Sequence, residues 1–272
     1  MTIEISGLFT YPIKSCGALA HQQVQLVDTG PIYDRQWVVT DEDGMFFTQR
    51  AYPALAQVQP SLQGEMLAID APGMRQICVP LTPNDEMARR DVTVWRDEVV
   101  AADQGQEAAD WFSDYLGLEA RLFTMPKTTT RPVDPDYAPR PAKVGFADAY
   151  PLLVIGEASL AALNARLAQR GAAPVPMSRF RPNVVISGSD AFEEDTWGAF
   201  RMGELVFDAV KPCARCSVTT VDQQTGQVPN PQEPLATLAT FRNQGGKVMF
   251  GQNLVHRQNG TLAVGDALTP LD

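Results

Sequence analysis

The feature that most constrains this chain is its punctuation. Runs of branched, aromatic or alternating apolar residues stay short and are cut at close intervals by Gly, Pro, Asn or Asp. Such runs read as strands. IEISGLFTYPIKS alternates as a strand does and ends in a turn at Pro12. HQQVQLVDTG is a second strand, broken by Gly30-Pro31. YDRQWVVTDEDGMFFTQR reads as a hairpin, with WVV and MFFT as arms and DEDG as the turn. EARLFTM and LLVIG are further strands, and MFGQNLVHRQNGTLAVGDALTPLD reads as two closing strands joined by a turn at Asn259-Gly260.

Two segments are helical. Ala108, Trp111, Phe112, Tyr115 and Leu116 fall at helical spacing, and Gly117 can stop the helix. A second helix is predicted after Gly156, with Leu160, Leu163 and Leu167 on its faces. Many short strands, few helices and no glycine-rich nucleotide loop point to a β-rich, barrel-like fold. Segment order alone suggests two sequential domains. The stretch 126–143, containing TTTRPVDPDYAPRPA, is the clearest loop, and it reads as a lid or rim beside a site.

Composition narrows the class. The chain has 272 residues, 44% hydrophobic and 20% charged, with a formal net charge of -10. That balance argues against a general nucleic-acid or anionic-membrane surface, while leaving room for a local basic pocket. The start lacks a basic leader with a continuous apolar run, and no stretch reaches the roughly 18 apolar residues of a membrane helix. A cytoplasmic location without a membrane anchor is the resulting expectation. Four cysteines (Cys16, Cys78, Cys213 and Cys216) are too few for a disulfide scaffold, so free thiols or ligands are expected.

Cys213 and Cys216 form a CxxC in KPCARCSVTTVDQQTGQ. Structural zinc wants four ligands, and no second pair is present. A thioredoxin-like dithiol wants its first cysteine at a helix N-terminus, whereas Pro212 and the SVTTVD run favour a strand or extended turn. Both thiols could pack as small apolar groups. The neighbours Lys211 and Arg215 favour thiolate over thiol, which points to a ligand or nucleophile and goes no further. A second polar set lies far away in sequence: Tyr11, Lys14 and Ser15; Arg35; and Arg179, Arg181 and Asn183. If these converge, they make an anion pocket.

YPIKSC, YDRQW, FADAYPLLVIGEASLAALN, RFRPNVVISG, KPCARCSVTTVDQQTG, EPLATLATFR and the final FGQN…VGD occur in this order over nearly the whole chain. Together they resemble the MOSC-domain family, in the branch of the mitochondrial amidoxime-reducing component and its bacterial relatives. The resemblance implies a mixed, β-rich fold: a MOSC β-barrel domain from residues 1–35 and 123–272, with a smaller α/β domain, 36–122, inserted. It implies the molybdenum–molybdopterin cofactor (Moco), with Cys216 as the metal's protein ligand and Cys213 in packing. Lys14, Ser15, Arg35, Arg181 and Asn183, with Ala214 and Arg215, would carry the phosphate and pterin. Asp148 and Thr220 would lie near the pterin or the metal's open face, and Arg242 in the pocket wall. The implied reaction is two-electron reduction of amidoximes, hydroxylamines and other N-hydroxylated compounds, with protons from solvent or Asp148. The chain lacks the four spare cysteines of a plant-type iron–sulfur cluster. Electrons are therefore expected from a separate ferredoxin, cytochrome or flavoprotein. The alternative is a cofactor carrier, or a sulfur carrier with a persulfide on Cys216.

Overall fold

The run LLVIG shows how the sequence builds the larger sheet. The computed structural model describes residues 2–271, and in it Leu152–Gly156 is a strand buried at every position. Leu152 and Val154 join one core cluster, while Leu153 and Ile155 join another with Leu163 and Leu167 of the helix Glu157–Gln169. A strand covered on both faces must be apolar at each residue, which is why LLVIG shows no alternation.

This strand pairs in parallel with Val184–Ser187 and antiparallel with Lys247–His256. The ladder continues from Val184–Ser187 through Ile3–Thr10, Ala267–Pro270, Ala199–Met202 and Leu205–Ala214 to Lys247–His256. Because Lys247–His256 also pairs with Leu152–Gly156, the ring closes into a β-barrel. Closure removes the unpaired edges that an open sheet would present. Ile5, Leu8, Phe200, Phe207 and Leu254 fill one side of this sheet, and burying each contributes about 1.5–3 kcal/mol.

A smaller mixed α/β domain stands beside the barrel. One of its sheets runs Trp37–Thr40, Arg121–Thr124, Asp97–Asp103, Arg89–Val94, and another runs Gln59–Gln63, Met66–Asp70, Ile77–Pro80. The helix Gln106–Leu116 buries Ala108, Trp111 and Phe112 against Trp37, Val39, Leu67 and Leu122. Gly117 ends it in the left-handed region (φ 71°), returning its amide to the Ser113 carbonyl at 2.8 Å. The expected 37–48 hairpin forms only in part: the chain turns at Asp41–Gly44, Thr40 makes an isolated bridge to Phe46 and Asp41 Oδ1 accepts the Met45 amide at 2.8 Å, but MFFT is not a strand and Trp37–Thr40 pairs instead with Arg121–Thr124.

The C-terminal segment departs from expectation. Asn259-Gly260 does bend the chain, but the strands flanking it are not partners. Gly260–Ala263 leaves to pair with Gln23–Val27, and a third strand, Ala267–Pro270, returns to Ile3–Thr10 and Ala199–Met202. A turn signal is local, whereas pairing is decided by which apolar face is covered. No helix among the described residues is long and apolar enough to cross a membrane.

Candidate functional site

Pairing between Leu205–Ala214 and Lys247–His256 slips twice, between Ala209 and Lys211 and between Pro212 and Ala214. Proline cannot donate to a ladder and is tolerated at such a bulge, where the strand bends and its side chains are re-aimed. The chain then leaves the strand. Ser217–Thr220 forms one 3-10 turn, with the Thr219 amide and hydroxyl both donating to the Cys216 carbonyl, at 3.1 and 3.0 Å. Cys216 is thereby left exposed in the wall of a cavity of about 300 Å³.

The other cysteines do not gather there as ligands. Cys213 also lines the cavity, but it is half-buried, packs beside Leu153 and Phe250, and accepts from Arg215 Nη1 at 3.0 Å. Cys16 is fully buried, and burial pushes its thiol up to about 12, against the opposing pull of Arg181. Cys78 is exposed on the strand Ile77–Pro80 of the smaller domain. Among the described residues no three or more His, Cys, Asp or Glu side chains group to hold a metal by protein ligands alone. No α-helix starts at the CxxC, so the arrangement is not that of a thioredoxin-like dithiol.

Lys14, Ser15, Arg35, Asp148, Arg181, Asn183, Ala214, Arg215 and Cys216 all line this one cavity. The dispersed basic set therefore converges with the CxxC. Among the described residues, Lys14, Arg35, Arg50, Arg181, Lys211 and Arg215 face it, against the single carboxylate of Asp148. In a chain of net charge -10, such a concentration of cations makes a focused anion site.

Behind its wall, and buried, lies Tyr11. The Arg35 and Arg181 guanidinium carbons lie 4.1 and 4.2 Å from the Tyr11 ring centroid, so one aromatic face system holds two like charges in place. Tyr11 is fixed in turn by its hydroxyl, which donates to the Pro182 carbonyl at 3.0 Å, and by its amide, which donates to Asp34 Oδ1 at 2.8 Å. Burial raises the Tyr11 phenol to about 12, although Arg181 and Arg35 pull it down. Arg35 donates to both Asp34 oxygens at 2.7 and 2.8 Å. Arg181 Nη1 donates to the Cys16 carbonyl at 2.7 Å and to Gln223 at 3.2 Å, but its buried Nη2 has no partner among the described residues. Burial, helped by Arg35, lowers Arg181 to about 10, which leaves it charged at neutral pH. A buried charged donor without an acceptor is costly, and an anion in the cavity is the acceptor that would relieve it.

The backbone is bent at the same residues. Ser15, Arg35 and Arg181 sit in the left-handed region, at φ 71°, 44° and 55°. Each costs about 1–3 kcal/mol and persists because its surroundings hold it. The Arg35 amide donates to the Tyr11 carbonyl at 2.8 Å, and the Arg181 amide to the Ser178 carbonyl at 3.2 Å. Asn183 spends both ends of its amide on backbone, accepting from the Leu153 amide at 3.2 Å and donating to the Phe9 carbonyl at 3.1 Å. It shapes the cavity floor.

Lys14 crosses to Asp148 at 2.5 Å and to the Phe146 carbonyl at 2.8 Å. Desolvation opposes ionisation of Asp148. The Lys14 charge and hydrogen bond and the Trp95 indole N–H at 3.0 Å outweigh it and hold the carboxyl well below the usual range. The expectation that Asp148 might donate a proton is therefore corrected, because such a carboxylate carries no proton to give near neutral pH.

Thr220 and Arg242 also depart from expectation. Thr220 is buried behind the wall, its hydroxyl on the Ser217 carbonyl at 2.8 Å and its own carbonyl accepting from Arg179 Nη1 at 2.6 Å. Arg242 points elsewhere. It pairs with Asp195, donates to the Met249 carbonyl at 3.2 Å, and lies 4.6 Å over the Phe192 ring. Arg179 likewise turns to Asp222, at 3.1 Å.

Sequence reasoning missed Arg50 and Trp95. Arg50 lines the cavity and stacks 4.6 Å from the Trp95 ring centroid. Their only signal was a position just beyond strand ends. The 126–143 loop has one internal bridge, Pro132 to Lys143, yet it is packed. Arg131 is buried, donating to the Asp97 carboxylate at 2.6 Å and to the Gly145, Ala147 and Asp148 carbonyls. Val133 and Ala138 have their own apolar cluster. The loop braces the Asp148 segment and brings Tyr137 under Lys211, 3.4 Å from the ring centroid.

Two family models match the chain, the MOSC N-terminal beta barrel domain over residues 2–119 and the MOSC domain over residues 141–269. The chain is 35% identical over 280 residues to the mitochondrial amidoxime reducing component 2 of Rattus norvegicus, covering 96% of this chain and 81% of that protein. It is 30% identical over 279 residues to the mitochondrial amidoxime-reducing component 1 of Homo sapiens, covering 96% and 81%. It is 32% identical over 282 residues to the molybdenum cofactor sulfurase of Oryza sativa subsp. japonica, covering 96% of this chain and 34% of that protein. These names overturn the cytoplasmic expectation: the amidoxime-reducing relatives are named mitochondrial, and the missing leader pattern on which that expectation stood does not decide the compartment.

Proposed function

The chain belongs to the MOSC family, and from that premise we propose that it is a molybdenum-cofactor-dependent reductase of N-hydroxylated compounds such as amidoximes and hydroxylamines. Likeness to the amidoxime-reducing components and to a molybdenum cofactor sulfurase supports a redox role tied to that cofactor. The observation that carries the reductase reading is the cavity itself. It joins an exposed Cys216 thiol to a cationic wall in which a buried Arg181 nitrogen lacks an acceptor. A pterin with a phosphate tail and a soft metal needs both features, so the residues fit the group.

On this reading Cys216 is the protein's ligand to molybdenum. Arg35, Arg181, Lys14 and Ser15, with the backbone at Ala214 and Arg215, hold the phosphate and pterin. When bound, the cofactor supplies the two-electron chemistry that breaks the N–O bond. The protein fixes orientation through a preformed set of charges. The overall change is an N–OH group plus two electrons and two protons going to N–H and water. The electrons come from a separate ferredoxin, cytochrome or flavoprotein. The protons come from solvent, because Asp148 is held ionised by Lys14 and Cys216 lies on the open side. The division into residues 1–35 with 123–272, and 36–122 as an insert, belongs to the same proposal. It is supported by the large sheet, which takes Ile3–Thr10 and Leu19–His21 from the start and its other strands from residues 152–270.

The test is metal, pterin and nucleotide analysis of protein made in a host that produces the cofactor, together with benzamidoxime reduction. About one molybdenum per chain with turnover supports the reductase. The sulfurase relative favours one alternative, a carrier: cofactor bound without turnover by any donor, or a persulfide on Cys216 without metal.

A further inference from the structure

We propose that the substrate of this cavity carries an anionic group, a carboxylate or phosphate, received at the mouth by Arg50 and Lys211. The proposal rests on the reductase reading and adds the substrate's charge to it.

Four of the six cavity cations have protein acceptors, Arg181 through only one of its two terminal nitrogens. Lys14 pairs with Asp148, and Arg35 with Asp34. Arg181 donates to the Cys16 carbonyl, and Arg215 donates to the Phe180 carbonyl at 2.6 Å. Among the described residues, Arg50 and Lys211 alone in this set have neither an ion pair nor a side-chain hydrogen bond. Each rests on an exposed aromatic ring instead: Arg50 on Trp95, 43% exposed, and Lys211 on Tyr137, 42% exposed. An aromatic face positions a cation without neutralising it, whereas a carboxylate partner would cancel the charge.

The platforms are built. Trp95 is held in the left-handed region at φ 60°, its indole N–H is tied to Asp148, and its ring meets Phe46 edge-on at 5.1 Å. Lys211 stands at the first strand slip, three residues after Asp208 in the chain and on the segment leading to Cys216. The two cations thus come from different parts of the fold, one from the smaller domain and one from the barrel strand, onto one cavity. Arg50 is exposed and Lys211 half-exposed, in contrast with the buried Lys14 and Arg181, so they form the outer pair. A neutral amidoxime would leave that pair unused. An anionic substrate approaching a chain of net charge -10 needs such a local reversal of field.

The experiment compares benzamidoxime with 4-carboxybenzamidoxime as substrates of the holoenzyme. Reduced viologen serves as electron donor, so that no partner protein takes part. The double variant Arg50→Gln, Lys211→Gln is measured beside the native protein. The native enzyme is expected to show a KM about tenfold lower for the carboxylated compound, a difference of about 1.4 kcal/mol shared by two exposed charge contacts. The KM ratio should approach one in the double variant, and the preference should shrink with added salt. Arg50→Lys, which keeps the charge, should retain it. Equal KM values in the native enzyme, or the same ratio in both proteins, overturns the proposal while leaving the reductase reading intact. If the native protein reduces neither compound, the reductase reading fails. Titration calorimetry with 4-carboxybenzamidoxime on the same two proteins then decides: binding lost in the double variant upholds the anion site, and equal or absent binding overturns it.

Discussion

Lys14 and Asp148, 134 positions apart in the chain, meet in a 2.5 Å ion pair at the cavity wall. The contact joins the segment after the first barrel strand to the segment before Leu152–Gly156; it holds Asp148 ionised, while on Lys14 it opposes the downward push of burial. Asp148 titrates below its unfolded value, so the pair's contribution is complete above about pH 4 and is lost as pH falls further. Asp148→Asn leaves the buried Lys14 ammonium with only the Phe146 carbonyl. It should cost about 1 kcal/mol at neutral pH, a figure already reduced for the exposure of the carboxylate. Urea unfolding near pH 7 and near pH 3 checks this: the gap between variant and native protein should only begin to narrow at the lower pH, because the folded carboxylate is still ionised there.

Tyr11 separates two guanidinium groups, and two substitutions dissect that role. Tyr11→Phe keeps the ring and strips the Pro182 carbonyl of its donor, which should cost about 1 kcal/mol. Tyr11→Leu removes the ring between Arg35 and Arg181, should cost about 3 kcal/mol, and should lower pterin retention, read by fluorescence of the released pterin. Because the folded phenol titrates near 12 and the unfolded one near 10, its contribution holds up to about pH 10. It is lost as pH rises through about 12, visible as one tyrosine ionising late in an absorbance titration.

Arg181 and Arg242 separate cavity from scaffold. Arg181→Ala removes the donor without a protein acceptor and should reduce pterin content severalfold. Arg242→Ala breaks the Asp195 pair and the Phe192 stack, away from the cavity. It should lower the melting temperature with pterin content per folded chain unchanged. Pterin loss in Arg242→Ala would restore the wall position expected from sequence.

That pair also marks what could be read without a structure. LLVIG and the following helix were legible because burial on both faces leaves a continuous apolar run. The end of the earlier helix was legible because Gly117 supplies the left-handed residue. Lys14, Arg35, Arg181 and Cys216 stood out as chemistry, but their meeting depends on ring closure of the sheet, which no local pattern encodes. Arg242 was misplaced for the same reason: its partner Asp195 lies 47 residues away. Arg50 was passed over because a solvated arginine after a hairpin has no local mark. Asn259-Gly260 gave a true bend and a false pairing, since the strand after it serves Gln23–Val27.

The central claim is that one sulfur, at Cys216, completes the metal site. X-ray absorption at the molybdenum edge, on native and Cys216→Ala protein loaded with the cofactor, measures it directly. The account predicts that the variant loses one sulfur from the metal's shell, keeps the dithiolene pair and stops reducing benzamidoxime. An unchanged sulfur count with full turnover in Cys216→Ala would contradict it.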